Sequence, residues 1–351
     1  MEGRNNRATL SRVSGRNQYL DFLRGVAILM VLGMHCRHFA WLDRVGGNGV
    51  DLFFVLSGYL ISGLLFAEYK ASGSLRIGRF LLRRGLKIWP SLYLYLAVMA
   101  IPLAYVGQLR SLAPPALLYI NYSPPHAGVV GHIWSLAIEE HFYLALPFLL
   151  AWLMRRNALK WLPHIYLASI VLCGVARYAQ PERSNFATHC RFDTLLLGVL
   201  LSYWSHFRPR IMAALSSHWS LLGSGALLGF AWTSGPLYRT AGILALSWGF
   251  GLLLAWGVGR KCWVPVIPAI GVYSYSIYLW QQPFAAAVYG TTVSLPMFWI
   301  LLVSAILLGM VMAHVVEFPV LRLRERLVPK DDEGRNPKAP ASGSLVWLRS
   351  S

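Results

Sequence analysis

Residues 49–67 read GVDLFFVLSGYLISGLLFA, and in this run of 19 residues one aspartate is the only charged side chain. A helix needs about 20 mainly apolar residues to cross the hydrocarbon core of a bilayer, because each residue adds about 1.5 Å of rise. The stretch therefore predicts a transmembrane helix.

Apolar runs of this kind recur along the chain. Hydrophobic residues make up 56% of it and charged residues 13%, whereas a soluble protein carries roughly 25% charged residues. The composition predicts an all-α, polytopic transmembrane helical bundle of about ten spans. The runs lie near 20–37, 49–67, 88–107, 134–154, 161–179, 192–205, 211–231, 240–258, 265–288 and 297–316. A further run, 112–122, is short and contains two prolines, so we expect it to be re-entrant or interfacial.

Basic residues give the orientation of these spans. With ten spans, 25 of the 32 lysines and arginines fall on the side of the termini and 7 on the other side. Loops rich in Lys and Arg stay in the cytoplasm. We therefore expect a multi-pass protein of the inner (plasma) membrane with both termini cytoplasmic. The same rule accounts for the net charge of +18 without a nucleic-acid partner.

The chain divides into three parts by composition. Residues 1–18 are predicted to be a basic cytoplasmic arm, 19–328 the transmembrane domain, and 329–351 a disordered cytoplasmic tail. Cysteine and histidine spacings match no metal site, so no metal is expected.

The first span carries two ionisable side chains on one face. Arg24 and His35 are eleven residues apart, which is close to three whole turns and an axial distance of about 16 Å. Charges within a span are costly and often functional. A purely structural interpretation stays open, in which Arg24 reaches lipid phosphates and His35 bonds a neighbouring helix.

Other polar residues are expected in the outer half of the membrane, with His35. Glu139 and Glu140 lie about two turns into the fourth long span, where carboxylates need partners. Adjacent residues on a helix point about 100° apart, so the two carboxylates cannot easily share one cavity. We favour Glu139 as a structural partner and Glu140 as the one nearer His35. The same half is expected to contain Asp51, Arg191, Asp193 and Gln281.

A basic cluster lies on the cytoplasmic side. Six cations occur between residues 70 and 87, namely Lys70, Arg76, Arg79, Arg83, Arg84 and Lys87. The cluster is consistent with an orientation signal that binds anionic lipid, and equally with a site for a polyphosphate. The cations lie on the cytoplasmic side of the membrane and the acid–base residues in its outer half. A long molecule with a phosphate-bearing head could reach from one to the other, and acyl-coenzyme A has that shape.

Several motifs in this sequence resemble those of one protein family. The segment YLDFLRGVA at 19–27, followed by His35, is similar to the first helix of the acyltransferase 3 family, the O-antigen-acetylase-like membrane acyltransferases. Six further blocks resemble that family in the same order, and the resemblance extends over about 19–325. They are GGNGVDLFFVLSGYLI at 46–61, FLLRRGLKIWP at 80–90, WSLAIEEHFY at 134–143, RFDTLLLG at 191–198, SYSIYLW at 274–280 and VEFP at 316–319.

The resemblance implies an enzyme that transfers an acetyl or other short acyl group from acyl-CoA to a hydroxyl. Acceptors in the family are often sugars of surface polysaccharide, so we expect a carbohydrate or lipid-linked sugar as partner, in contact with membrane lipid. Three positions depart from the family pattern. Lys87 replaces an arginine of the basic motif, Gln281 replaces a histidine, and His141 replaces a glutamine.

These observations combine into a hypothesis for the site. Arg24, Arg84 and Lys87 are expected to bind the phosphates of acyl-CoA. His35 is the candidate general base, because its ordinary pKa is close to working pH, and Glu139 or Glu140 would orient it. The predicted substrate-binding residues are Asp51, Trp134, Arg191, Asp193 and Gln281.

One alternative comes from a different class of protein. The same intramembrane charges could serve as a proton relay in a transporter or exporter of a lipid-linked sugar. That function moves its substrate without covalent change, whereas the enzyme consumes acyl-CoA.

Overall fold

The computed structural model describes residues 17–123, 128–233, 240–260 and 264–329. Within these ranges the chain is helical and has no β-strand, as the composition predicted. Most of the arm at 1–18 and nearly all of the tail at 329–351 lie outside the described residues. The helices are α1 Gln18–His35, α2 Ala40–Val45, α3 Asn48–Ser72, α4 Ile77–Tyr105, α5 Ala113–Ala116, α6 Ile133–Arg155, α7 Leu162–Ala179, α8 Phe192–Phe207, α9 Pro209–Leu215, α10 His218–Thr233, α11 Ala241–Gly257, α12 Val266–Val272, α13 Ser274–Trp280, α14 Gln282–Ala287, α15 Leu295–Met312 and α16 Phe318–Leu327.

Five helical stretches in the described part are long and apolar enough to span a membrane, and a sixth arises if α9 and α10, bent by 64°, form one span. The helix α11 is apolar but shorter. The ten-span count and the cytoplasmic position of the termini stay predictions. The segment 109–122 forms only short helical turns, because its two prolines cannot continue a hydrogen-bonded helix.

The second half of the basic cluster is helical. The helix α4 begins at Ile77 and continues to Tyr105. Leucine, arginine and lysine favour helices, and Phe80, Gly85 and Ile88 are buried. Arg84 and Lys87 therefore lie about one turn apart on the helix that enters the predicted span.

Residues 265–288, expected to be one span, form three short helices, α12, α13 and α14. The last break lies at Gln281, which ends α13 and precedes α14. Pro283 follows in the first turn of α14, where the missing amide hydrogen of proline is tolerated. The break sets the two adjacent glutamines, Gln281 and Gln282, in the middle of the polar site described below.

The helices α3 and α8 are in close contact because each presents a glycine to the other. A Cβ at Gly58 would overlap the carbonyl oxygen of Leu195, and one at Gly198 would overlap that of Val55. Small residues allow helices in a membrane to approach each other closely. The glycine pair fixes the position of α3, which also packs against α1.

Candidate functional site

His35 is the last residue of α1, and its side chain is partly accessible. The imidazole Nδ1 lies 3.0 Å from Oε1 of Gln281. The amide of Gln281 donates to Oε1 of Gln282 over 3.1 Å, and the amide of Gln282 donates to the carbonyl oxygen of Gly128 over 2.5 Å. The predicted base is thus the end of a hydrogen-bonded chain that begins at a backbone carbonyl.

The two carboxylates of α6 have different partners. Glu139 accepts hydrogen bonds from Ser57 at 2.9 Å and from Tyr143 at 2.7 Å. Glu140 accepts one from the indole of Trp89 at 2.9 Å, and its other oxygen is buried without a hydrogen-bond partner. Both carboxylate oxygens of Glu139 are thus hydrogen-bonded within the protein. Among the described residues, neither carboxylate is hydrogen-bonded to His35, whose acceptor is Gln281.

The three predicted phosphate-binding cations lie in one electrostatic neighbourhood. The Arg84 guanidinium stacks 5.0 Å from the centre of the Tyr143 ring and interacts with the charges of Glu139 and Arg24. Lys87 interacts with the charges of Arg84 and Arg24. Arg24 lies 3.3 Å from Asp21 on its own helix. The structure therefore brings α1, α4 and α6 together around a group of opposite charges.

Arg84 and Lys87 differ from the other cations of this region in their hydrogen bonds. Neither donates a hydrogen bond to any residue in the described part of the chain, and Nε of Arg84 is buried without a partner. By contrast, Arg83, next to them on α4, forms an ion pair of 2.7 Å with Glu325. The two side chains keep donors that can bind an anion.

Three of the predicted substrate-binding residues are engaged in buried ion pairs. Arg191 donates to Asp51, and Arg177 donates to both carboxylate oxygens of Asp193 over 3.1 and 2.7 Å. All four side chains are at most 5% exposed. Their charges satisfy one another and connect α3, α7 and the start of α8. This arrangement favours a structural role.

The remaining predicted substrate residues are Trp134 and Gln281. The indole of Trp134 packs edge-on against Phe54 at 6.2 Å and Phe186 at 5.0 Å, and it is partly accessible. Gln281 is 1% exposed and contacts His35. The structure therefore brings Gln281 to the candidate base, while Trp134 belongs to an aromatic cluster.

A small cavity borders His35 on its apolar side. It has a volume of only about 10 Å³ and is lined by Leu32, Cys36, Phe284, Ala285, Leu301 and Ala305, together with His35 and Gln281. Apart from the imidazole, the amide and a thiol, these side chains are aliphatic or aromatic. The space next to the imidazole is therefore mainly apolar and has room for about one water molecule.

Ser57, Trp89, Tyr143 and Glu317 are polar residues of this site with no predicted role in it, and Gln282 was expected only to lie in the outer half of the membrane. Each lies in or beside one of the quoted motifs, and that position was the available signal. Glu317 is buried at the end of a π-helical turn, Ala313–Glu317, and accepts a hydrogen bond from Ser276 at 2.6 Å. Helical turns of this kind are frequent at functional sites.

Comparison with known proteins gives a consistent result. The family model described as "Acyltransferase domain" matches residues 17–316. The chain is 29% identical over 307 residues to a putative O-acetyltransferase of Staphylococcus aureus strain COL, covering 75% of this chain and 49% of that protein. It is also 29% identical over 317 residues to the O-acetyltransferase OatA of S. aureus strain NCTC 8325, covering 76% and 50%. The chain thus spans about half the length of these relatives. No solved structure matches it significantly.

Proposed function

The chain belongs to the acyltransferase family whose domain model matches residues 17–316, and from that membership we propose its reaction. It transfers an acetyl or other short acyl group from acyl-CoA to a hydroxyl of a sugar, in an exported or cell-surface glycan. It acts in the inner membrane, with both termini in the cytoplasm.

The observation that carries this proposal is that Arg84 and Lys87 are partly buried and lack hydrogen-bond acceptors in the described part of the chain. The two cations lie one turn apart and have no hydrogen-bond acceptor among the described residues. Burying such charges in an apolar protein costs free energy. A phosphate supplies the missing acceptors, and guanidinium and ammonium groups are its usual protein partners. The phosphates of acyl-CoA fit this requirement, with Arg24 of α1 as the third cation.

The position of His35 supports its role as the general base. It lies eleven residues beyond Arg24 on the same face of α1, so about 16 Å separates them along the helix axis. The extended pantetheine arm of the donor covers such a distance. His35 takes the proton of the acceptor hydroxyl as that oxygen attacks the thioester carbonyl, and the imidazolium returns the proton to the departing sulfur of coenzyme A.

The cavity beside His35 supports a short acyl group. Leu32, Phe284, Leu301 and Ala305 line it. An acetyl group requires a small displacement of these side chains, whereas a long chain requires a much larger one. A hydroxyl acceptor is proposed because relatives are named O-acetyltransferases, and a sugar hydroxyl because acceptors in the family that the motifs resemble are often sugars.

The test is transfer by the purified protein in detergent, with radiolabelled acetyl-CoA and a glycan or lipid-linked sugar as acceptor. We expect an ester-linked label in the acceptor and a loss of about 10²–10⁴-fold in His35→Ala, the usual contribution of a general base. His164→Ala is the matched control, because His164 is exposed at the start of α7. Full activity in His35→Ala would contradict the role of this residue. Substrate uptake by liposomes without acyl-CoA consumption would favour the transporter instead.

A further inference from the structure

We propose that Gln281 and Gln282 form a neutral hydrogen-bond relay that fixes the tautomer of His35 and so makes its Nε2 the base. This inference rests on the proposed function of His35. It assigns positioning roles to both glutamines. Gln281 was expected to bind substrate, and Gln282 had no predicted role.

The direction of the relay follows from the group at its far end. The carbonyl oxygen of Gly128 is an acceptor only, so the Gln282 atom that faces it at 2.5 Å must be the amide nitrogen. The Gln282 oxygen then faces Gln281 and requires a donor there, 3.1 Å away. Gln281 accordingly presents its NH₂ group to Gln282 and its oxygen to His35.

The Gln281 oxygen also determines which imidazole nitrogen carries the proton. The Gln281 oxygen lies 3.0 Å from Nδ1 of His35 and has no proton to donate. Nδ1 must therefore carry the hydrogen, since a neutral imidazole has one donor and one acceptor nitrogen. Nε2 is left with its lone pair free to accept the hydroxyl proton. The backbone carbonyl of Gly128 thus determines the reactive nitrogen through two side chains.

The position of the glutamines makes this relay rigid. Gln281 is 1% and Gln282 9% exposed, so water rarely competes for their hydrogen bonds. Both lie at the junction of α13 and α14, and Pro283 restricts the backbone there. An amide rotated by 180° would oppose two oxygens or two NH groups inside the protein, which is unfavourable.

A neutral acceptor also differs chemically from the carboxylate expected beside His35. A carboxylate on Nδ1 favours the imidazolium form, which cannot accept a proton. An amide oxygen orients the ring without adding charge. The relay therefore keeps the resting imidazole neutral, which is the form that a general base requires.

The experiment measures the tautomer directly, by ¹⁵N NMR of histidine-labelled, full-length protein in detergent. The two ring nitrogens give distinct shifts when protonated and unprotonated, and the His35 signals are identified by their loss in His35→Ala. We expect protonated Nδ1 and unprotonated Nε2 in the wild type. In Gln281→Leu, and in Gln282→Leu, the two tautomers should mix.

Kinetics supply a second readout. Loss of one neutral hydrogen bond corresponds to about a tenfold change, so Gln281→Leu should lower kcat about tenfold and leave the donor KM unchanged. Gln281→Glu keeps an acceptor oxygen opposite Nδ1 but adds a charge, so Nδ1 should stay protonated while the signal of Nε2 moves toward that of the imidazolium. Gln180→Leu, at an exposed position, is the matched control and should alter neither measurement.

An unchanged His35 tautomer in both leucine variants would overturn the relay. So would a wild-type spectrum with the proton on Nε2. Should one leucine variant fail to fold, the other variant and the wild-type spectrum still decide the question. The NMR result does not depend on catalysis, so a relay without acyl transfer would contradict the proposed function alone.

Discussion

Neutralising Arg84 is expected to weaken binding of the donor while the protein still folds. The substitution Arg84→Gln removes a guanidinium that forms no hydrogen bond with the described residues and stacks 5.0 Å from the Tyr143 ring. Glutamine keeps much of the apolar side chain over the ring. The folded protein therefore loses little stability, whereas the bound phosphate loses a charged hydrogen-bond donor.

The magnitude follows from the kind of contact that is lost. A hydrogen bond to a charged group contributes about 1.5–3 kcal/mol, which corresponds to a rise of about tenfold to 150-fold in the Kd for coenzyme A. Lys87→Gln should have an effect at the lower end, because an ammonium cannot bind two phosphate oxygens in the way a guanidinium does. Lys87→Arg should bind as well as the wild type or more tightly.

The assay is calorimetric titration of purified protein with coenzyme A at two salt concentrations. Arg156→Gln is the matched control, since Arg156 is an exposed cation next to the end of α6. Its Kd should equal that of the wild type. The affinity lost in Arg84→Gln should shrink at high salt, because ions screen the interaction between phosphate and cation.

One result would refute this reasoning. If both Arg84→Gln and Lys87→Gln bind coenzyme A like the wild type, the two cations do not bind the donor. The basic cluster would then serve orientation and lipid binding, which the sequence left open. That outcome should be accompanied by poor insertion of the variants into the membrane.

Three further predictions concern the acyl cavity and the helix packing. Leu301→Ala should enlarge the cavity and raise the preference for butyryl-CoA over acetyl-CoA about tenfold or more, whereas Leu307→Ala, exposed on the same helix, should leave the chain-length profile of transfer unchanged. Asp51→Asn breaks a buried ion pair and should cost about 3–5 kcal/mol of stability. The variant should have a lower thermal midpoint in detergent, and the folded fraction should bind the donor with unchanged Kd. A specific loss of acceptor binding would instead support a role of Asp51 in binding substrate. Gly198→Leu should prevent α3 and α8 from packing and abolish the folded peak in size-exclusion chromatography, while Gly174→Leu, which meets no atom within 4 Å, should be tolerated.

Much of the architecture could be predicted from the pattern of apolar residues. A run such as 49–67 has to be helical in a membrane, because lipid offers its backbone no hydrogen-bond partner. The pattern was less informative about breaks. Nothing in the apolar composition of 265–288 distinguishes one span from three short helices, since the packing of α12 against α1 and of α13 against α15 determines where the helix is interrupted.

The sequence indicated which residue types could form the candidate site. It indicated less well which of these side chains form hydrogen bonds with one another. The motif around Arg84 and Lys87 was consistent with an anion site and with an orientation signal, and in the described part of the chain neither side chain donates a hydrogen bond. The assignment of a carboxylate to His35 came from residue chemistry alone. In the structure that position belongs to Gln281, because the break between α13 and α14 turns an amide toward the imidazole.

The sequence by itself determined that this protein is helical, that it has apolar segments of membrane-spanning length, and that it carries the motifs of the acyltransferase family. These properties depend on composition, on periodicity and on short ordered motifs, which are local features of a chain. Only the tertiary structure decided which charges neutralise one another and which stay available. Asp51 and Arg191 are 140 residues apart and form a buried pair, whereas Arg84, close to two carboxylates, keeps its donors free. A hydrogen bond depends on tenths of an ångström between side chains on different helices, and residue spacing along one chain does not contain that information.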